Sequence, residues 1–324
     1  MVEFQPSKLA VWVRFPSPAP IIYCFERGSI FLGENMNEII LNVNNFNLKY
    51  TLECGQCFRW NKVFEDKNEI CYIGVIKDRV IKITMKENII IIIKSSNMEN
   101  LENIIKEYFD LNVDYGAIEK NISKIDSNVT FALKNSSGIR ILNQSFFETV
   151  ISYIISANNN IPRISKSINE ISRRYGKKVI FEDKEYYLFP NIYELKEVTE
   201  EEFKSCGVGF RARYIKNTIK YMLDEDITFD SMMAMDTTEA RDTLLKMQGV
   251  GQKVADCILL FSLSRKEVFP IDVWVERVMA RLYFKELNGH VSKKDIQRYS
   301  EENFGEYAGI VQQHLFYNVR EKLI

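Results

Sequence analysis

Residues 246–273 read KMQGVGQKVADCILLFSLSRKEVFPIDV, and the fold turns on how this stretch divides. Asp236, followed three residues later by Glu239, forms a capping pair that predicts a helix running to about Met247. Gly249 and Gly251 supply turn geometry that side-chained residues resist, and a second helix restarts near Gln252. The result is a helix-hairpin-helix at about residues 237–263. The first amides of the second helix are unpaired within it and its positive dipole end faces the turn, so Gly249, Val250, Gly251 and Gln252 offer a phosphate a seat without a basic side chain.

Lys253 falls in the first turn of that helix, where the dipole and partial burial both disfavour an ammonium and favour a nucleophilic amine. Cys257 lies four residues on, on the same helical face. Asp272, nineteen residues after Lys253, follows Pro270 and opens a third helix from Val273 to about Tyr283. A carboxylate there could stabilise positive charge developing on a deoxyribose ring. Taken singly, each piece has a plainer reading: a common turn, a solvated lysine, an N-cap, a small buried thiol. The set at this spacing is much harder to produce by chance.

The same stretch resembles the helix-hairpin-helix DNA glycosylases with a Gly/Pro-rich loop and a following aspartate, and specifically their 8-oxoguanine branch. Residues 53–60 (ECGQCFRW), 156–163 (SANNNIPR) and 207–214 (GVGFRARY) match that branch, as does a segment from Tyr307-Ala308-Gly309 to Phe316. The matches run from about residue 39 to 320. The resemblance implies a glycosylase and lyase without a cofactor. Lys253 would attack C1′ of a flipped nucleotide, Asp272 would steady the cation, and a Schiff base would open the way to strand cleavage by β-elimination.

8-Oxoguanine carries a hydrogen on N7 where guanine carries a lone pair, so a carbonyl aimed there attracts the lesion and repels the normal base. The resemblance puts Gly55 in that role; a strand bulge is its plainer reading. It further implies that Cys257 and Phe316 sandwich the base and that Gln312 bonds its Watson–Crick edge. Asn158, Arg163 and Arg211 would hold the orphaned cytosine, with Phe210 as the wedge filling the stack. From the sequence alone, Arg163 and Arg211 could equally be surface cations. The chain departs from the branch in having Trp274 where a phosphate-binding histidine is common, Phe210 for a tyrosine, and a stretch after Phe316 one residue shorter. Trp274 bears on that phosphate contact and not on the chemistry, while the other two departures predict looser strictness for the opposing base.

With 324 residues, 46% apolar and 27% charged, the chain can bury a sizeable core and make two or three domains. A net charge of −1 is unusual for a DNA binder, yet residues 203–222 hold five Lys/Arg and no acid, and residues 158–178 six against one Glu. Such runs can steer DNA, though solvated helix faces also produce them. Six scattered cysteines fit no disulfide framework and suit a reducing cytoplasm. Cys54 and Cys57 have the spacing of half a zinc site, but only two histidines are present and no second pair accompanies them, so no metal is expected.

The predicted fold class is α+β, an antiparallel sheet domain packed on a mostly helical core. Residues 1–35 read as an irregular, disordered leader with Met36 as the working start, residues 36–135 as the sheet domain, and residues 136–324 as the helical core. Strands are expected at 39–43, 71–76, 80–85 and 89–93, with a packing helix over 97–109. No apolar run reaches membrane-spanning length. The expected partner is duplex DNA containing 8-oxoguanine, bound by a monomer in the cytoplasm, and the Asn, Ile and Lys richness suggests an AT-rich bacterial genome. Alternatives are a glycosylase for another oxidised base and a non-catalytic helix-hairpin-helix DNA-binding module.

Overall fold

The computed structural model describes residues 29–30, 38–284 and 291–323. Six strands form one antiparallel sheet: β1 Ser29–Ile30, β2 Glu38–Asn42, β3 Asn61–Glu65, β4 Glu69–Ile76, β5 Arg79–Lys86 and β6 Ile90–Ser95, in the order β1-β2-β6-β5-β4-β3. Ser29–Ile30, within the stretch expected to be an irregular leader, pairs with β2. The rest of that leader, and Met36 as a start, lie outside the described residues.

Alternation explains the sheet. Ile81, Ile83 and Met85 on β5 and Ile91 and Ile93 on β6 are buried, while the residues between them are partly exposed. Glu87 and Asn88, both left-handed, turn β5 into β6. The helix Leu101–Tyr108 lays Leu101, Ile104, Ile105 and Tyr108 against this face. The β3 strand escapes sequence reading because every residue in it is exposed and neither face is selected for apolarity. A small hairpin inside the helical half, β7 Lys178–Phe181 with β8 Lys184–Tyr187, also escapes that reading, since its residues are exposed or half-buried and none is fully buried.

The helical half is organised by two buried helices, Phe146–Ser156 and Gln252–Ser262, which pack together and stack Tyr153 on Phe261 with centroids 5.7 Å apart. The helices Tyr115–Ile122 and Ser127–Ser136 bury their apolar faces in this same core. Arg140, itself buried, donates to the carbonyls of Asn44, Asn45, Asp110 and Val113 and so stitches sheet to helices. The C-terminal helix Ala308–Arg320 comes close to the chain before the third helix of the motif. The Gly309 amide donates to the Lys266 carbonyl at 2.7 Å, and a Cβ on Gly309 would lie 2.5 Å from Leu260 Cδ1 and 3.0 Å from two backbone oxygens. Only glycine permits that approach.

On the other face of this helix His314 is fully buried, its Nδ1 2.8 Å from Ser136 Oγ and its Nε2 without a partner among the described residues. Burial lowers its pKa from 6.5 to about 4. The folded state therefore holds a neutral imidazole where the unfolded chain protonates, so this contribution is complete above about pH 6.5 and is lost as pH falls toward 4. The linkage is worth on the order of 3 kcal/mol. Urea midpoints should fall across that window, and His314→Leu should flatten the slope there by about one proton's worth; an unchanged slope would refute the assignment.

Candidate active site

The hairpin is built as its residues dictate. Asp236 caps the helix Thr237–Leu245 and forms a reciprocal capping box with Glu239. Gly249 takes φ +85°, and a Cβ there would lie 2.8 Å from the Tyr214 ring, so only glycine lets the turn rest on the helix Arg211–Asp224. Gly251 differs from expectation. It sits at φ −95° with nothing within 4 Å of a Cβ, so its value is open space in front of the helix rather than turn geometry. Val250 donates its amide to the Met247 carbonyl and is buried. The turn therefore presents the amides of Gly251 and the first helical residues, with no side chain capping that N-terminus.

Buried Asp256 braces the motif, accepting from Arg241 Nε of the preceding helix at 2.8 Å and from Gln252 Nε2 at 3.1 Å. Burial pushes its carboxyl up, and the Arg241 guanidinium opposes that shift. Nothing in the spacing of the sequence marked this residue; its partners become visible only when the two helices are laid side by side.

Six of the singled-out residues, Gly55, Lys253, Cys257, Asp272, Gln312 and Phe316, line one cavity, together with Tyr153, Phe261, Pro270 and Gln313, which the sequence reading missed. Lys253 Nζ stands 5.1 Å from the centre of the Tyr153 ring. Burial pushes the Cys257 thiol up to about 11, against the pull of Lys253, so at neutral pH it is an uncharged wall rather than a competing nucleophile. Asp272 serves two ends at once. Its Oδ1 accepts from the amides of Trp274 at 2.9 Å and Val275 at 2.8 Å, capping the helix Val273–Tyr283, while Oδ2 has no hydrogen-bond partner among the described residues.

Gly55 takes φ +86°, which makes it a turn after the helix Leu48–Glu53 rather than a strand bulge. A Cβ on it would stand 3.3 Å from both Phe316 Cε1 and Arg320 Nη1. The cavity's volume is about 40 Å³. A larger cavity of about 400 Å³ lies beyond Asp272, between Phe131, Trp274, Arg277 and Arg281, and contains neither the amine nor the acid.

The second group of singled-out residues lies elsewhere. Arg211 is buried and donates to the carbonyls of Ala157 and Asn158, with its guanidinium 4.5 Å over the Phe210 ring. It is no surface cation. Phe210 itself is 60% exposed, and Asn158 is exposed in a left-handed conformation. Arg163 is exposed on the neighbouring helix Ile161–Tyr175. Part of the basic run of residues 158–178 is neutralised, since Arg173 and Arg174 both pair with Glu170 and Lys178 pairs with Glu185. Cys54 and Cys57 donate to separate backbone carbonyls, those of Thr51 and Leu52.

Comparison with known proteins agrees with this geometry. The model "8-oxoguanine DNA glycosylase, N-terminal domain" matches residues 38–150 and "HhH-GPD superfamily base excision DNA repair protein" matches residues 151–306. A probable N-glycosylase/DNA lyase of Methanothermobacter thermautotrophicus is 33% identical over 242 residues, 68% of this chain and 74% of that protein. The N-glycosylase/DNA lyase of Saccharomyces cerevisiae is 30% identical over 78% of this chain and 72% of its own length. The solved 8-oxoguanine glycosylase/lyase of Clostridium acetobutylicum, in complex with duplex DNA containing cytosine opposite 8-oxoguanine, superposes with a TM-score of 0.82 and 41% identity, covering 89% of this chain and 97% of that one. With both domain models matched in chain order and relatives at 30% identity or more over two thirds of its length, the chain belongs to the 8-oxoguanine glycosylase branch of the helix-hairpin-helix base-excision repair proteins.

Proposed function

We propose that the protein excises 8-oxoguanine from duplex DNA and then cleaves the strand at the resulting site. The observation that carries this reading is a single cavity holding an amine, a half-free carboxylate, a glycine turn and an aromatic wall. The Lys253 amine attacks C1′ and the bond to the base breaks with its electron pair leaving on the base. The free oxygen of Asp272 faces the cationic sugar in the transition state. Ring opening gives a Schiff base on Lys253, and loss of a C2′ proton then expels the 3′ phosphate.

The Gly55 carbonyl accepts the N7 hydrogen that marks the lesion, Cys257 and Phe316 hold the ring between them, and Gln312 bonds its Watson–Crick edge. The backbone of Gly249, Gly251 and Gln252 receives a phosphate. On the other strand, Phe210 fills the vacated stack while Asn158 and Arg163 meet the orphaned base, cytosine in the preferred substrate. Arg211 serves that contact by holding the Ala157 and Asn158 carbonyls. Duplex DNA is the partner, and among the described residues no helix is long and apolar enough to cross a membrane.

Borohydride should trap the protein on 8-oxoguanine duplex, and Lys253→Gln should abolish the trapped band; trapping that persists sinks the nucleophile assignment. Asp272→Asn keeps a capping side chain, so the melting temperature should hold while single-turnover excision drops on the order of a hundredfold or more. Gly55→Ala strains a left-handed backbone and crowds Phe316, and should slow lesion excision at least about tenfold. Duplexes with each of the four bases opposite the lesion, assayed with and without alkali, separate base removal from strand cleavage; equal rates for all four would remove the cytosine preference.

A further inference from the structure

Gln313 is 3% exposed, lines the lesion cavity, and its Oε1 is buried without a hydrogen-bond partner among the described residues. Its neighbour Gln312 is in the same condition. Both side chains line the cavity, and a buried amide carbonyl left unpaired costs about 1–3 kcal/mol, a cost that donors on a ligand entering the cavity would remove. Helical spacing brings both to the same wall, since Phe316 lies four residues beyond Gln312 and three beyond Gln313, and Gly309, packed against Leu260, lies four before Gln313.

We propose that Gln313 is a specificity-determining residue, acting with Gln312 as a two-acceptor reader of the flipped base's Watson–Crick edge. The inference rests on the reading of this cavity as the lesion pocket. Two acceptors need two adjacent donors. A 2-amino-6-oxopurine presents them, N1–H and the exocyclic amine, whereas a purine lacking the 2-amino group presents one and an adenine-type edge offers an acceptor at N1. The pair therefore selects guanine-derived lesions by their amine, independently of the N7 hydrogen that Gly55 reads. Whichever glutamine takes N1–H, loss of the amine orphans the other.

The test compares single-turnover excision of 8-oxoguanine and 8-oxohypoxanthine, which lacks the 2-amino group, by the intact protein and by Gln313→Met and Gln313→Leu. The wild type should prefer 8-oxoguanine at least about tenfold. In either variant one acceptor remains and one donor satisfies it, so 8-oxoguanine excision should slow and the preference should shrink toward unity. Thermal melting of the free variants should match or exceed the wild type, because the orphaned carbonyl is gone. An undiminished preference in the variants, a parallel loss on both substrates, or a wild type that treats the two bases alike would each overturn the proposal. The last outcome applies even where neither variant folds. A wild type that excises neither base would instead overturn the glycosylase reading itself.

Discussion

The side chain of Gln56, fully buried, is the joint on which the site depends. Its Nε2 donates to the carbonyls of Thr51 at 2.9 Å and Arg140 at 2.8 Å, and its Oε1 accepts from the Leu142 amide at 2.9 Å. Its backbone carbonyl accepts from Gln144 Nε2 at 2.7 Å and the Tyr153 hydroxyl at 3.2 Å. One residue thus ties the end of the Leu48–Glu53 helix, the 140–144 crossing and the buried Phe146–Ser156 helix, with every polar atom used. A buried network satisfied this fully is rigid, and breaking any member leaves the others unpaired. The left-handed turn at Gly55, one residue earlier, inherits its position from that network.

The groups proposed to react come from separate supports. Lys253 stands on a helix whose base is braced by Asp256 and Arg241, and Asp272 is held by the helix it caps. The Ala308–Arg320 helix closes the third side with Gln312, Gln313 and Phe316. Each sits at a helix start or along a helix that lines the cavity. Orientation is prepaid in the fold, which is the form of rate enhancement that a static framework supplies best.

Much of this was legible in the residues. The capping pair at Asp236 and Glu239, the left-handed Gly249 of the hairpin and the Asp272 helix start are local chemistry, and they fall where the spacing predicts. The inner strands were legible because one face of each is apolar. What stayed hidden was of two kinds. The β3 strand is exposed throughout and the β7–β8 hairpin has no fully buried residue, so neither presents a core face to read. Asp256, Tyr153, Gln313 and the buried state of Arg211 depend on contacts between distant segments: an Arg in a basic run looks the same whether it faces water or two carbonyls 53 and 54 residues away. The resemblance supplied roles for Gly55 and Gln312 that no local pattern carries.

The absence of a side chain at Gly309 reaches further than its own turn of helix. With the C-terminal helix pressed to backbone contact against the Lys266–Val268 segment, the glutamines and Phe316 are set at a depth decided by one missing methyl group. The pocket's width is thereby written at a site that touches no nucleotide, and evolutionary drift in lesion preference would have to leave that position alone while the walls around it vary.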